Sequence, residues 1–179
     1  MLAQEILRFW FEEIDKKKRF AKDEALDALM RERFEPTLQT AARGELWQWR
    51  DSAAGRLAEI IVLDQFSRNI WRDTPRAFAQ DERALTLARE LHSNGGDKTL
   101  PIEQRAFAYM PYMHSESLRV HEQAVRIFSQ PGLESDLGYE LRHKAIIERF
   151  GRFPHRNAIL GRASTAEELE FLKQPGSAF

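Results

Sequence analysis

The sequence predicts an all-α protein of antiparallel helix pairs, packed as a bundle or a short α-solenoid. Three observations predict it. Apolar residues recur at helical spacing along most of the chain. No stretch alternates as a half-buried strand does, and no Asn-Gly turn joins two alternating segments. The helical segments run about 12–20 residues with short links, which make neighbours antiparallel. Roughly seven or eight helices are expected. One domain is expected over residues 1–179, with a frayed tail at 174–179.

The elements follow in order. Leu2, Ile6, Phe9 and Trp10 mark one face of a first short helix. The run Lys16-Lys17-Lys18-Arg19 ends it, because adjacent cations repel and prefer water. Leu26, Met30, Phe34, Leu38 and Ala42 recur every fourth residue over Asp23–Arg43. Pro36 is expected to bend or split that helix, and Gly44 to stop it. Trp47 and Trp49 are expected to lie as a lid over helix ends.

Ala53–Phe66 is the most hydrophobic segment, apolar nearly all round, so it should be the central buried helix. Ser67–Asp73 should break the pattern. Thr74-Pro75 reads as N-cap and first turn of the next helix, carrying Phe78, Ala84, Leu85, Ala88 and Leu91 up to Asn94-Gly95-Gly96. Pro101 starts a helix with Phe107, Met110 and Met113 inward, and Pro111 should kink or end it. Ser115 can cap a helix through Leu118, Val125 and Phe128, which Gln130-Pro131-Gly132 ends. Leu137–Phe150 follows, with Leu141, Ile146 and Phe150 inward. Gly151 and Pro154 force a turn. Ser164 and Thr165 precede Glu167 and Glu168 by three residues, a capping box for a last short helix.

Composition narrows the function classes. Of 179 residues, 42% are hydrophobic and 31% charged, and 12 Phe and 4 Trp argue for a packed core. Lys and Arg number 27 against 28 Asp and Glu, for a net charge of −1. That balance gives no global pull toward nucleic acid or an anionic membrane, so an anion site must be local. The absence of cysteine excludes thiol nucleophiles, disulfides and thiolate metal sites. Glu5 and Arg8 interrupt what a signal peptide would need, and no apolar run reaches the ~18 residues of a membrane span. A cytoplasmic protein is expected.

Three stretches could carry chemistry. In Leu63–Arg72, Asp64 and Arg68 are four residues apart and can pair on one helix face. They either tie a helix end to its neighbour or line a pocket in which Arg68, Asn69 and Arg72 offer donors to an anionic or carbonyl ligand. In Tyr109–Glu116, His114 is suited to proton transfer near neutral pH and Glu116 to orienting it, if a turn brings them together. The alternative is a capping turn. In Glu148–Asn157, Arg149, Arg152, His155, Arg156 and Asn157 surround the turn at Gly151 and Pro154. Between Arg142 and Arg162 six Lys and Arg face one acid, Glu148. Arginine forks there could hold phosphate or carboxylate, or could pair with acids elsewhere. The five histidines show no metal-binding spacing, so no metal is expected. No dinucleotide, P-loop or nucleophile-elbow motif appears, and no cofactor is expected.

These stretches resemble an uncharacterised bacterial family, known only as a domain of unknown function. Its members carry L-D-Q-F-[PS]-R-N-[IL]-[YW]-R, Y-[ML]-P-x-x-H-S-E and E-R-F-G-R-[FY]-P-H-R-N, read here at Leu63–Arg72, Tyr109–Glu116 and Glu148–Asn157. Arg76–Asp81 and Gly161–Thr165 fit as well. The resemblance runs from Leu7 to Leu172 and implies a tetratricopeptide-like helical fold, with the three polar segments converging on one concave surface. Ser67 stands where proline is commoner. No activity is implied.

Three functions are compatible with these residues. A small anionic molecule could be bound, with hydrolase or lyase chemistry open, where His114 or His155 moves a proton and Glu116 or Asp64 orients it. A tetratricopeptide-like groove could clamp a peptide with the same arginines. Or the polar residues form an ion-pair lattice that holds helices in register.

Overall fold

The computed structural model describes residues 2–178, and these are helical and looped, without a strand among them. Phe179, the end of the tail expected to fray, lies outside the described residues. The chain forms two compact units. One comprises Met1–Arg72 with Arg76–Pro111, the other Asp73–Pro75 with Tyr112–Phe179.

The first unit opens with α1 (Ala3–Arg8), prolonged by a wider π turn over Phe9–Glu13. Ile6, Phe9 and Trp10 are buried as their spacing requires, whereas Leu2 lies outside the contact face and is 70% exposed. The Asp23 side chain accepts the Leu26 amide at 3.0 Å and so starts α2 (Glu24–Ala42). Pro36 sits inside α2 without ending it. Gly44 then takes φ +78°, the left-handed geometry that stops the helix. Trp47 does not form a lid: it begins a 3₁₀ turn, Trp47–Asp51, and is 60% exposed. That turn is held by Arg50, whose guanidinium meets both oxygens of the buried Glu59 at 2.7 Å.

Ser52 caps α3 (Ala53–Ile61) through its hydroxyl, 3.0 Å from the Gly55 amide. Gly55 is required there, since a Cβ would lie 2.0 Å from the Trp49 carbonyl oxygen. The helix does not break at Ser67. It widens into a π turn over Val62–Phe66 and continues as α4 (Ser67–Ile70). One residue more than an α turn is absorbed there, which keeps the apolar face on the core while turning Asp64 and Gln65 inward. α3 packs on α1 and α5, and α4 on α2. Phe9, Trp10, Phe34, Phe66 and Phe107 interlock with ring centroids 4.6 to 6.0 Å apart.

Pro75 begins a 3₁₀ turn, Pro75–Ala77, and α5 (Asp81–Ser93) starts later than the Thr74-Pro75 signal suggests, so Phe78 precedes it. α6 (Ile102–Met113) runs through Pro111 and ends two residues beyond it.

In the second unit α7 (Leu118–Phe128) packs on α8 (Glu134–Phe150). Ser117, not Ser115, holds the N-cap position of α7. Leu141 is on the outer face of α8 and 48% exposed, while Ile146, Ile147 and Phe153 form the core, flanked by Phe150 and Phe171. Gly151, at φ +68°, ends α8. A 3₁₀ turn, Pro154–Arg156, and α9 (Ala166–Phe171) follow. Thr165 and Glu168 form the capping box of α9.

Candidate functional site

Asp64, Arg68, Asn69 and Arg72 belong to the first unit, and His114, Glu116, Arg149, Arg152, His155, Arg156 and Asn157 to the second. Within the first, the π turn aims the Asp64 carboxylate into the interior. Gln65 Nε2 donates to it at 2.6 Å, and Arg68 Nη1 lies 3.2 Å from its Oδ1. Arg68 also donates to the Asp64 carbonyl at 2.9 Å and grips Asp81 with two bonds of 2.8 and 3.0 Å. Burial works against the guanidinium charge, but Asp81 and Asp64 outweigh it and raise its pKa above the ordinary value. Asn69 and Arg72 both reach Asp27 on α2: Asn69 Nδ2 donates at 2.8 Å, and Arg72 adds bonds of 2.5 and 2.9 Å. The paired acids Asp27 and Asp81 lie 45 and 13 residues from their arginines, so their choice was hidden in the sequence.

In the second unit Glu116 does not orient His114. Its Oε1 accepts the Phe153 amide at 2.7 Å, and Arg162 grips both its oxygens at 2.6 and 2.9 Å. Burial raises the Glu116 carboxyl, yet Arg162 and the amide outweigh it and hold it below the ordinary value. Arg162 also donates to Asn157 Oδ1 at 2.9 Å, and Asn157 Nδ2 donates to Ser164 at 3.1 Å. Arg152 meets both oxygens of Glu168 at 2.7 and 2.9 Å. Those bonds hold Glu168, the capping acid of α9, down at about 2. Arg149 pairs with Glu167 on the surface at 2.8 Å. The charge excess read in this segment is therefore largely met by acids from the 116 and 167–168 positions.

A different group of residues gathers about Phe153, which is fully buried. The rings of His121, His143 and His155 lie 6.1, 5.8 and 5.7 Å from it, and the Arg156 guanidinium stacks 4.8 Å above it. His114 lies 6.5 Å from His143, and its carbonyl accepts from Arg156 at 2.9 Å. His114 and His155 are half-buried, His143 buried. His143 donates Nδ1–H to the Tyr139 carbonyl at 2.8 Å. Its pKa is pushed down to about 3, first by burial, then by the imidazoles of His114, His121 and His155, against the pull of that carbonyl. This is an imidazole-rich cage with one guanidinium, built on one side chain. Among the described residues no cluster has the makings of a metal site.

A family model matches residues 6–176. The chain belongs to that family, the bacterial proteins of unknown function called DUF924. A solved structure, that of the protein of unknown function ATU0120 from Agrobacterium tumefaciens, is 37% identical, covers 96% of each chain and superposes with a TM-score of 0.90. No curated protein matches.

Two polar constellations of this DUF924 chain escaped the sequence reading. Asp97 Oδ2 accepts His92 Nδ1–H at 2.7 Å and the Tyr109 hydroxyl at 2.5 Å. His121 and Glu140 meet across α7 and α8 at 2.7 Å. A signal existed for the second: His121 shares a helix face with Val120, Ala124 and Phe128, and a polar side chain on a buried face needs a partner. An open cleft of about 430 Å³ lies elsewhere, in the first unit, floored by Phe9, Ile14 and Leu26, with no candidate residue on its walls. No helix among the described residues is long and apolar enough to cross a membrane.

Proposed function

We propose that the second unit binds a small anion, of the phosphate or carboxylate class, at the His114–His155–Arg156 cage. The observation that carries this reading is the gathering of three imidazoles and one guanidinium about Phe153, with the His114 ring beside that of His143. Partly exposed imidazoles beside a buried guanidinium offer directed donors in a site of low dielectric. His114 and His155 are the groups able to move a proton in any hydrolase or lyase chemistry there.

The peptide-clamp reading is less well supported. It asks the arginines to meet an external carboxylate, but Arg68, Arg72, Arg152 and Arg162 already meet Asp81, Asp27, Glu168 and Glu116. For Asp64, Arg68 and Arg72 in the first unit, and for Glu116 and Arg152 in the second, the ion-pair lattice is the favoured role; in the second unit Glu116 anchors the Phe153 amide on which the cage is built.

Thermal-shift titrations with inorganic phosphate, sulfate and small carboxylates test this. Saturable stabilisation that disappears in His155→Ala and Arg156→Gln, both still folded, is the expected result. Arg152→Ala should lower Tm yet leave the anion response intact. An anion response unchanged in His155→Ala and Arg156→Gln, or none from any anion, would overturn the proposal, because general salting effects do not depend on these side chains.

A further inference from the structure

His121 and Glu140 are both fully buried, at 0% exposure. His121 Nε2 lies 2.8 Å from the Ser115 carbonyl oxygen, and Nδ1 lies 2.7 Å from Glu140 Oε1. A carbonyl only accepts, so Nε2 carries a hydrogen. Nδ1 and Oε1 then share one proton, which belongs either to an imidazolium facing a carboxylate or to a carboxylic acid facing a neutral imidazole.

The second oxygen decides between them. Glu140 Oε2 is buried and meets no hydrogen-bond donor. An ionised carboxyl would leave half its charge on that oxygen, buried and without a protein donor. A carboxylic acid carries its hydroxyl on Oε1 and leaves only a carbonyl oxygen at Oε2. The surroundings agree. The His121 ring packs on Phe153, and over that same ring stands the Arg156 guanidinium, whose fixed positive charge disfavours an imidazolium close by. Lys144, one turn beyond Glu140 on α8, is engaged by Glu148. Glu116, next to the clamped Ser115, is held by Arg162.

We propose that Glu140 is a neutral carboxylic acid donating to His121 Nδ1, and that the pair is a proton-dependent clasp on the Ser115 carbonyl that controls anion binding at the adjoining His114. The control rests on the anion site proposed above; the protonation assignment does not. Burial raises the Glu140 pKa above the ordinary carboxylate value, with His121 and Lys144 pulling the other way. When hydroxide removes the Glu140 proton as water, the carboxylate faces the Nδ1 lone pair. The imidazole answers by changing tautomer: Nδ1 gains a proton from solvent and Nε2 loses one to it. Nε2 then turns a lone pair toward the Ser115 carbonyl, and the turn bearing His114 and Glu116 is released. His121 and Glu140 are thus positioning residues, out of reach of any ligand.

Nitrogen-15 NMR of the whole protein reads the tautomer directly. At the acid end of the folded range His121 should show a protonated Nε2 and an unprotonated Nδ1, and the two should exchange roles as pH rises. The Ser115 and Glu116 amide signals should move with the same inflection. Glu140→Gln supplies an amide N–H to Nδ1 and cannot ionise, so it should keep the Nε2–H tautomer throughout and remain nearly as stable as the parent. Glu140→Leu, with no donor, should be clearly less stable. Sulfate, whose charge is constant over this range, should bind about tenfold more weakly above the inflection, the worth of one hydrogen bond. In Glu140→Gln that step should vanish. Two protonated His121 nitrogens throughout, or Glu140→Gln as destabilised as Glu140→Leu, would overturn the assignment. The expected tautomers without sulfate binding at any pH would support the acid–imidazole pair and overturn both the anion site and its control.

Discussion

Glu116 and Arg162 form a two-pronged ion pair, at 2.6 and 2.9 Å, and the same carboxylate accepts the Phe153 amide. One side chain thereby fixes the peptide that presents Phe153 to its histidines. A surface pair nearby, Arg149 with Glu167, joins side chains that are 47% and 62% exposed and fixes no backbone.

The two pairs should respond differently to truncation. Glu116→Ala leaves a half-buried guanidinium and an amide without their acceptor, so it should cost about 2–3 kcal/mol. Arg149→Ala should change stability by no more than about 0.5 kcal/mol, because solvent screens the pair and ordering it costs entropy. Urea denaturation of both variants checks this. Equal effects would mean that Glu116 is not the anchor of the Phe153 segment.

Ser67 makes the opposite case. Its hydroxyl is fully buried at the end of the π turn and meets no hydrogen-bond partner. Ser67→Ala removes an unsatisfied polar group and favours the helix, so it should stabilise the protein by about 1 kcal/mol. A loss of similar size in the same denaturation assay would show that the hydroxyl is bonded after all.

Where helix physics is local, the sequence was readable. The four-residue spacing of Leu26, Met30, Phe34 and Leu38 gave α2, and Asp23 and Thr165 announced their caps. The π turn was not readable, because the run Val62–Phe66 is apolar enough to satisfy either helical period. Pairings were not readable either. Asp64 and Arg68 are neighbours by spacing, but Arg68 gives its two strongest bonds to Asp81. Which acid meets which arginine depends on how the helices pack, and periodicity does not encode that. His114 and His155 were singled out by residue type; Phe153, the ring that gathers their neighbours, reads in sequence as one more core aromatic.

Gly55 tests how far local propensity can be trusted. Alanine is preferred over glycine inside a helix by about 1 kcal/mol. At this position, however, a Cβ would lie 2.0 Å from the Trp49 carbonyl oxygen, which is backbone and cannot swing aside. Gly55→Ala should therefore destabilise the fold by about 2–3 kcal/mol, through displacement of the Trp47–Asp51 turn. Thermal unfolding followed by tryptophan fluorescence reads both the loss and the moved turn; a raised Tm would contradict the close approach.

Acid should weaken the second unit through His143. Its pKa is about 3 in the folded chain against 6.5 for an ordinary histidine, so between these values the unfolded chain binds a proton that the folded chain refuses. Stability must then fall as pH drops below 6.5 and level off near 3, by about 5 kcal/mol at most. Glu168 acts in the same direction over a lower window: held at about 2 against 4.5, it contributes stability above 4.5 that is lost as pH falls toward 2. The two can be separated. His143→Gln keeps a donor for the Tyr139 carbonyl and does not titrate, so the slope between pH 6.5 and 4.5 should flatten, and below 4.5 only the Glu168 part should remain. Glu168→Gln should flatten only the lower portion, at a cost in stability at pH 7, since the Arg152 bridge and the α9 cap both lose their charge. Urea midpoints measured across pH 3–7 give both slopes, and an upper slope unaltered in His143→Gln would mean that the buried imidazole is not what acid attacks.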